Sequence, residues 1–176
     1  MKSILTDAAY LMDLHATSQP TLPFVMCESR LLEEARALGF ARIVTGWNEL
    51  GDASLGGDTE SYMNAIGGKG FTVETGQRDS VESPAVALDA ARRFLRHVGM
   101  IPYETPTDAE PEAFELFASV HVHEATFSYT REFQSFDPLE EGELIGFEGD
   151  MRHCAPRDCV LIMPSAASFM LAERES

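Results

Sequence analysis

Apolar residues fall in short runs set between longer, polar-patterned stretches. Residues 8–14, AAYLMDL, read as a short, largely buried strand, and their continuous apolar character suits a parallel sheet covered on both faces. The loop ATSQPTLP follows, then FVMC as a second strand. SRLLEEARALG places Leu31, Leu32, Ala35 and Leu38 at helical spacing, with Ser29 suited to an N-cap and Gly39 to a stop. ARIVTG is β-rich, and NELGDASLGGD has the glycine and aspartate punctuation of a loop. TESYMNAIG predicts a short helix and KGFTVETG a strand. After the connector RDSVESP, AVALDAARRFLRHVG sets Val86, Ala90, Phe94 and Val98 on one helical face.

Strands alternating with helices through residue 100 predict an α/β layered sheet. The pattern then changes. IPYETPTDAEPE is acidic and proline-rich, as a linker is. FELFASVHVHEATFSYTREF, PLEEGELIGFEGDM and CVLIMPSAASFMLAE alternate more than they show a helical period. The expected division is a first domain over 1–102, a linker over 103–112 and a small β-rich domain over 113–176.

Composition narrows the function classes. A formal net charge of −16 argues against nucleic-acid binding, since phosphates would be repelled. It leaves room for an anionic small substrate, which one local cation can hold. No apolar run approaches the ~20 residues of a membrane helix. The start MKSILTDAAYLMD lacks a signal-peptide pattern, so the expected location is cytoplasmic. Cys27, Cys154 and Cys159 form no CxxC pair and are expected as reduced thiols, although Cys154 and Cys159 are close enough in sequence to meet across a turn.

The chemistry concentrates at two strand ends. His15 ends the first apolar run, where α/β sheets place their ligands, and neutral imidazole is a good zinc ligand. Asp13, two residues earlier, shares its face and would fix its tautomer. Taken alone, DLH fits a capped loop better. Glu74, in GFTVETGQR, shares a strand face with Thr72, and partial burial would raise its pKa toward general-base range. The plainer alternative is a carboxylate paired with Lys69 or Arg78. Together, a histidine ending one strand and a carboxylate ending a later one could open on the same edge of a sheet, and a zinc hydrolase needs such a ligand and a nearby base.

DLHATS followed by GFTVETGQ resembles the succinylglutamate desuccinylase/aspartoacylase family of the zinc carboxypeptidase superfamily. The helix AVALDAARRFLRHVGMIP and the tail PLEEGELIGFEGDMRHCAPRDCVLIMP extend the resemblance over nearly the whole chain. It implies a partial carboxypeptidase-like, mostly parallel sheet with flanking helices, followed by the β-rich domain. It implies that His15 is the third zinc ligand, that Glu74 activates the zinc water and protonates the leaving amine, and that Asp13 supports His15 from behind. Tyr62 and Arg78 are the nearest matches to the family's substrate-holding tyrosine and arginine, but Arg78 follows Glu74 where the family's arginine precedes it.

In that family an upstream HxxE motif supplies the first two ligands, and an asparagine–arginine pair helps hold the substrate carboxylate. Fourteen residues precede His15 here, and they hold neither. The missing ligands are therefore expected from an upstream segment. The later His121-Val-His-Glu124 is no substitute, because on a strand His121 and Glu124 face opposite ways; it reads as a polar edge of the β-domain. His97 suits its helix C-terminus, and His153 reads as a turn residue before a proline. The expected activity is zinc-dependent hydrolysis of N-acyl amino acid-like amides by one zinc ion, incomplete without the upstream segment. The alternative is an inactive remnant that binds a partner or small ligand; either way an open sheet edge predicts an oligomer or a complementary segment. No GxSxG motif or Cys–His pairing supports nucleophilic catalysis.

Overall fold

The computed structural model describes residues 5–47, 50, 58–102 and 110–175. Its strands are β1 (Tyr10–Thr17), β2 (Phe24–Met26), β3 (Arg42–Thr45), β4 (Lys69–Gln77), β5 (Glu112–His121), β6 (Phe127–Tyr129), β7 (Asp137–Leu139), β8 (Leu144–Glu148), β9 (Met151–Cys154), β10 (Cys159–Ile162) and β11 (Ser168–Arg174). The helices are α1 (Leu32–Arg36), α2 (Thr59–Ala65) and α3 (Ser83–His97). One sheet runs β1-β4-β2-β3-β5-β11-β10-β7, and a small one runs β6-β8-β9.

The part of the large sheet that carries the candidate residues is mostly parallel. β1 with β4, β2 with β3, and β3 with β5 are parallel; β2 with β4 is antiparallel. From β5 onward the sheet continues antiparallel through β11, β10 and β7. It is thus continuous across the expected boundary: β5 begins at Glu112, which pairs with Arg42 of β3. Residues 103–109 of the linker, and most of the loop NELGDASLGGD, lie outside the described residues.

The sheet has two differently used faces. On one, Val25, Ile43, Phe71 and Val73 pack under Leu31, Ala35 and Leu38 of the α1 region and under Ala90 and Phe94 of α3. Burying side chains of this size contributes about 1.5–3 kcal/mol each. The other face carries Phe24, Met26, Val44, Phe114, Leu116, Ile162 and Met170. Alternation along β1 and β4 puts Asp13, His15, Gly70, Thr72 and Glu74 on this second face.

Three local expectations change. β1 is not covered on both sides: it is an edge of the sheet among the described residues, and Leu14 is 42% exposed. The helix expected over 29–39 is a 3-10 turn, Ser29–Leu31, followed by only five α-helical residues. It enters at Glu28 without a side-chain cap, and Gly39 closes the segment with φ +70. His153 lies within β9 rather than in a turn, its Nε2 3.2 Å from Glu148. All three cysteines are free. None of the described helices is long and apolar enough to cross a membrane.

Candidate active site

His15 of β1 and Glu74 of β4 are register partners, as are Asp13 and Thr72. In a parallel ladder such partners project from the same face, so a histidine and a glutamate some sixty residues apart become neighbours. His15 Nε2 lies 3.2 Å from Asp13 Oδ1, and its side chain is 53% exposed. The other Asp13 oxygen accepts a hydrogen bond from the Thr59 hydroxyl, at the first residue of α2. The chain Thr59–Asp13–His15 therefore engages Nε2 and leaves Nδ1 as the nitrogen open to a ligand.

Glu74 is 5% exposed. Its Oε2 is buried with no hydrogen-bond partner among the described residues. Burial pushes its carboxyl up from the ordinary range; the His15 ring acts the other way, and the Asp13 carboxylate adds to the rise. A carboxylate so placed is a strong proton acceptor for a group brought beside it. The alternative pairing does not occur: Lys69 Nζ binds Glu34 at 2.7 Å. Arg78 is exposed beyond β4, where its backbone N–H donates to the Thr17 carbonyl.

Glu60 of α2 is a residue that sequence patterning misses. It is 3% exposed and held at a pKa of about 8. Burial is the main cause, the Thr72 hydroxyl opposes it, and the Asp58, Glu28 and Asp13 carboxylates add to it. Thr72 donates to Glu60 Oε2 at 2.7 Å, and Oε1 is buried without a hydrogen-bond partner among the described residues. A glutamate in a first helical turn ordinarily points to solvent. The available signal is Gly70 inside the strand pattern, since such a glycine marks a close approach. A Cβ there would lie 2.9 Å from the Glu60 carbonyl oxygen. Tyr62, two positions along α2, lies round the helix from Glu60.

The other histidines differ from one another. His97 is partly buried, edge-on to Tyr10 and Phe71, with Nε2 3.8 Å from Glu34. His121 ends β5 and lines a cavity with Trp47, which the sequence pattern also leaves unmarked. Among the described residues, no three His, Cys, Asp or Glu side chains form a metal-holding group. His15 fits as one zinc donor, and a tight site needs at least two more.

The fold is that of solved succinylglutamate desuccinylase/aspartoacylase structures. The chain superposes on the one from Rhodobacter sphaeroides with a TM-score of 0.71 at 18% identity, over 98% of this chain and 60% of that one. The product-bound ectoine utilization protein EutE (DoeB) from Ruegeria pomeroyi gives 0.72 at 16%, over 97% and 60%. The succinylglutamate desuccinylase from Chromobacterium violaceum gives 0.63 at 12%, over 99% and 59%. The chain thus spans about 60% of the length of these structures. No protein-family model matches the sequence, and no curated protein does.

Proposed function

We propose that this chain belongs to the succinylglutamate desuccinylase/aspartoacylase family and carries part of the active site of a zinc-dependent hydrolase of N-acyl amino acid-like amides. The observation that carries this reading is the register pair His15–Glu74, with the glutamate buried and one of its oxygens unpartnered. His15 would hold zinc through Nδ1, with Asp13 fixing the ring from Nε2. A bound zinc ion supplies acidification of water and polarisation of the amide carbonyl. Glu74 takes a proton from the water that attacks the carbonyl carbon. The C–N bond then breaks as Glu74 returns that proton to the leaving nitrogen, giving a carboxylic acid and an amine. Arg78 is suited to a substrate carboxylate as a bidentate donor, and Tyr62 is the second candidate contact.

The remaining zinc ligands are supplied by a segment that joins the sheet at β1. That strand is an edge among the described residues, with Leu14 exposed beside His15. An open edge invites pairing with such a segment or a second copy.

The test is zinc analysis and deacylase assay of the chain with and without an HxxE-bearing segment of a family member. Zinc near one equivalent and turnover are expected only with the segment present. In the assembled form, Glu74→Gln should retain zinc and lose about 10²–10⁴-fold in rate. Stoichiometric zinc and full activity from this chain alone would sink the shared site, and an active Glu74→Gln variant would remove Glu74 from the chemistry.

A further inference from the structure

The carboxyl ends of β1, β3 and β5 open on a cavity of about 210 Å³. Thr17 of β1, Trp47 just past β3, and Ser119 and His121 of β5 line one part of it; Ser135 and the segment around Met163 line the rest. Thr17 follows His15 by two residues, about 7 Å further along the backbone of β1.

Two features distinguish the cavity from a surface dimple. The non-glycine residues with positive φ among those described both cluster here: Met163 (φ 50) lines the cavity, and Phe136 (φ 72) adjoins Ser135, which lines it. Left-handed backbone at large side chains is costly and gathers at functional sites. It is fixed in place by hydrogen bonds from Met163 N–H to the Ser135 hydroxyl at 3.0 Å and from Phe136 N–H to the Leu161 carbonyl at 2.6 Å. The second feature is unused hydrogen-bonding capacity. Neither the Ser119 hydroxyl nor the His121 ring has a hydrogen-bond partner among the described residues, and Ser135 accepts from Met163 while keeping its own proton to donate.

The cavity surface is mostly apolar, set with hydroxyls and one imidazole, and carries no fixed charge among the described residues. Among the described residues that line it there is no lysine, arginine, aspartate or glutamate. A carboxylate drawn in from water would meet no permanent cation, in a chain whose net charge is already −16. A carboxamide of the same shape offers two donors and an acceptor to hydroxyls and imidazole that can serve both. We infer that this cavity receives the end of the substrate remote from the scissile amide, and that this end is a neutral hydrogen-bonding group, such as a carboxamide, rather than a second carboxylate. The orientation of the substrate rests on the hydrolase reading; the preference for a neutral group rests on the lining itself.

Trp47 is the chain's single tryptophan and stands in the cavity wall, so its fluorescence reports occupancy without metal or turnover. The zinc-free chain is titrated at pH 8, above the ordinary titration range of imidazole, with N-acetylglutamine and N-acetylglutamate. These differ only in carboxamide against carboxylate. The glutamine compound is expected to shift Trp47 emission saturably and to bind at least about tenfold tighter than the glutamate compound. Ser119→Val, which replaces a hydroxyl by a methyl on a strand, should weaken it by about tenfold at an unchanged unfolding midpoint. Ser119→Ala, which adds no bulk, should weaken it in the same direction and guards against a packing failure of the valine variant. Equal or tighter binding of N-acetylglutamate, no Trp47 response to either compound, or affinity unchanged in both variants overturns the inference. Failure of the zinc and turnover test leaves this result standing, and failure here leaves the roles of His15 and Glu74 untouched.

Discussion

Replacing Glu60 by glutamine isolates one buried proton. The wild-type carboxyl has a pKa of about 8 against an ordinary 4.5, chiefly through burial, with the Thr72 hydroxyl opposing the rise. Between those two values the folded state keeps a proton that the unfolded state has released. Stability from this group is therefore complete below about pH 4.5, falls as pH rises through the window, and levels off above about 8. The shift from 4.5 to about 8 corresponds to about 5 kcal/mol in total at roughly 1.36 kcal/mol per unit, of which about 4 kcal/mol falls between pH 5 and 9. Glutamine is nearly isosteric: its oxygen can accept the Thr72 hydrogen bond, and its amide occupies the place of the unpartnered Oε1. Urea unfolding of both proteins from pH 5 to 9 gives the difference, in which all other titrations cancel. Glu60→Gln is expected to match wild type at pH 5 and to exceed it increasingly, by about 4 kcal/mol, toward pH 9. A difference independent of pH, or a less stable variant at pH 9, would refute the burial of a neutral acid here.

Gly70→Ala sets a methyl 2.9 Å from the Glu60 carbonyl oxygen and forces α2 off the sheet; a loss of about 1–3 kcal/mol in urea unfolding is expected, and an unchanged midpoint would show that the helix does not seat there. Thr59→Val removes the hydroxyl that fixes Asp13 and, through it, His15. In the proposed assembly with zinc bound, metal affinity measured by chelator competition should fall by about 10–100-fold, and unchanged affinity would show that this link does not orient the ring. Cys154 is exposed, whereas Cys27 and Cys159 are buried and burial pushes both thiols up; a thiol reagent at pH 8 should therefore titrate one group in the folded chain and three in urea.

What the sequence discloses depends on how local the cause is. The alternation of KGFTVETG and the apolar stripe of AVALDAARRFLRHVG are local, and β4 and α3 lie where those patterns place them. The apolar run before Asp13 correctly predicts a strand but overstates its cover, because the number of neighbours a strand has is a property of the sheet. Alternation likewise puts Asp13 with His15 and Thr72 with Glu74, while the register that joins the two pairs is tertiary. Glu60 stays hidden because a first-turn glutamate is usually solvated, and only the bare Cα of Gly70 lets α2 approach closely enough to bury it.

His121 shows the other side of the same principle. The strand argument sets His121 and Glu124 on opposite faces of one strand, whereas β5 ends at His121 and Glu124 lies in the turn that follows. Yet that strand end delivers the ring to a cavity whose walls come from Thr17, Trp47, Ser135 and Met163, which no local window contains. The continuous sheet is the physical reason. β5 pairs with β3 on one side and β11 on the other, so strands from both sides of residues 103–112 bring their ends to one rim. The candidate chemistry thus sits on the first strands of the chain, while much of the surface that would select a substrate comes from the last third. A substitution at Ser119 or His121 should therefore alter which compounds bind without displacing the His15–Glu74 pair, which belongs to β1 and β4 alone.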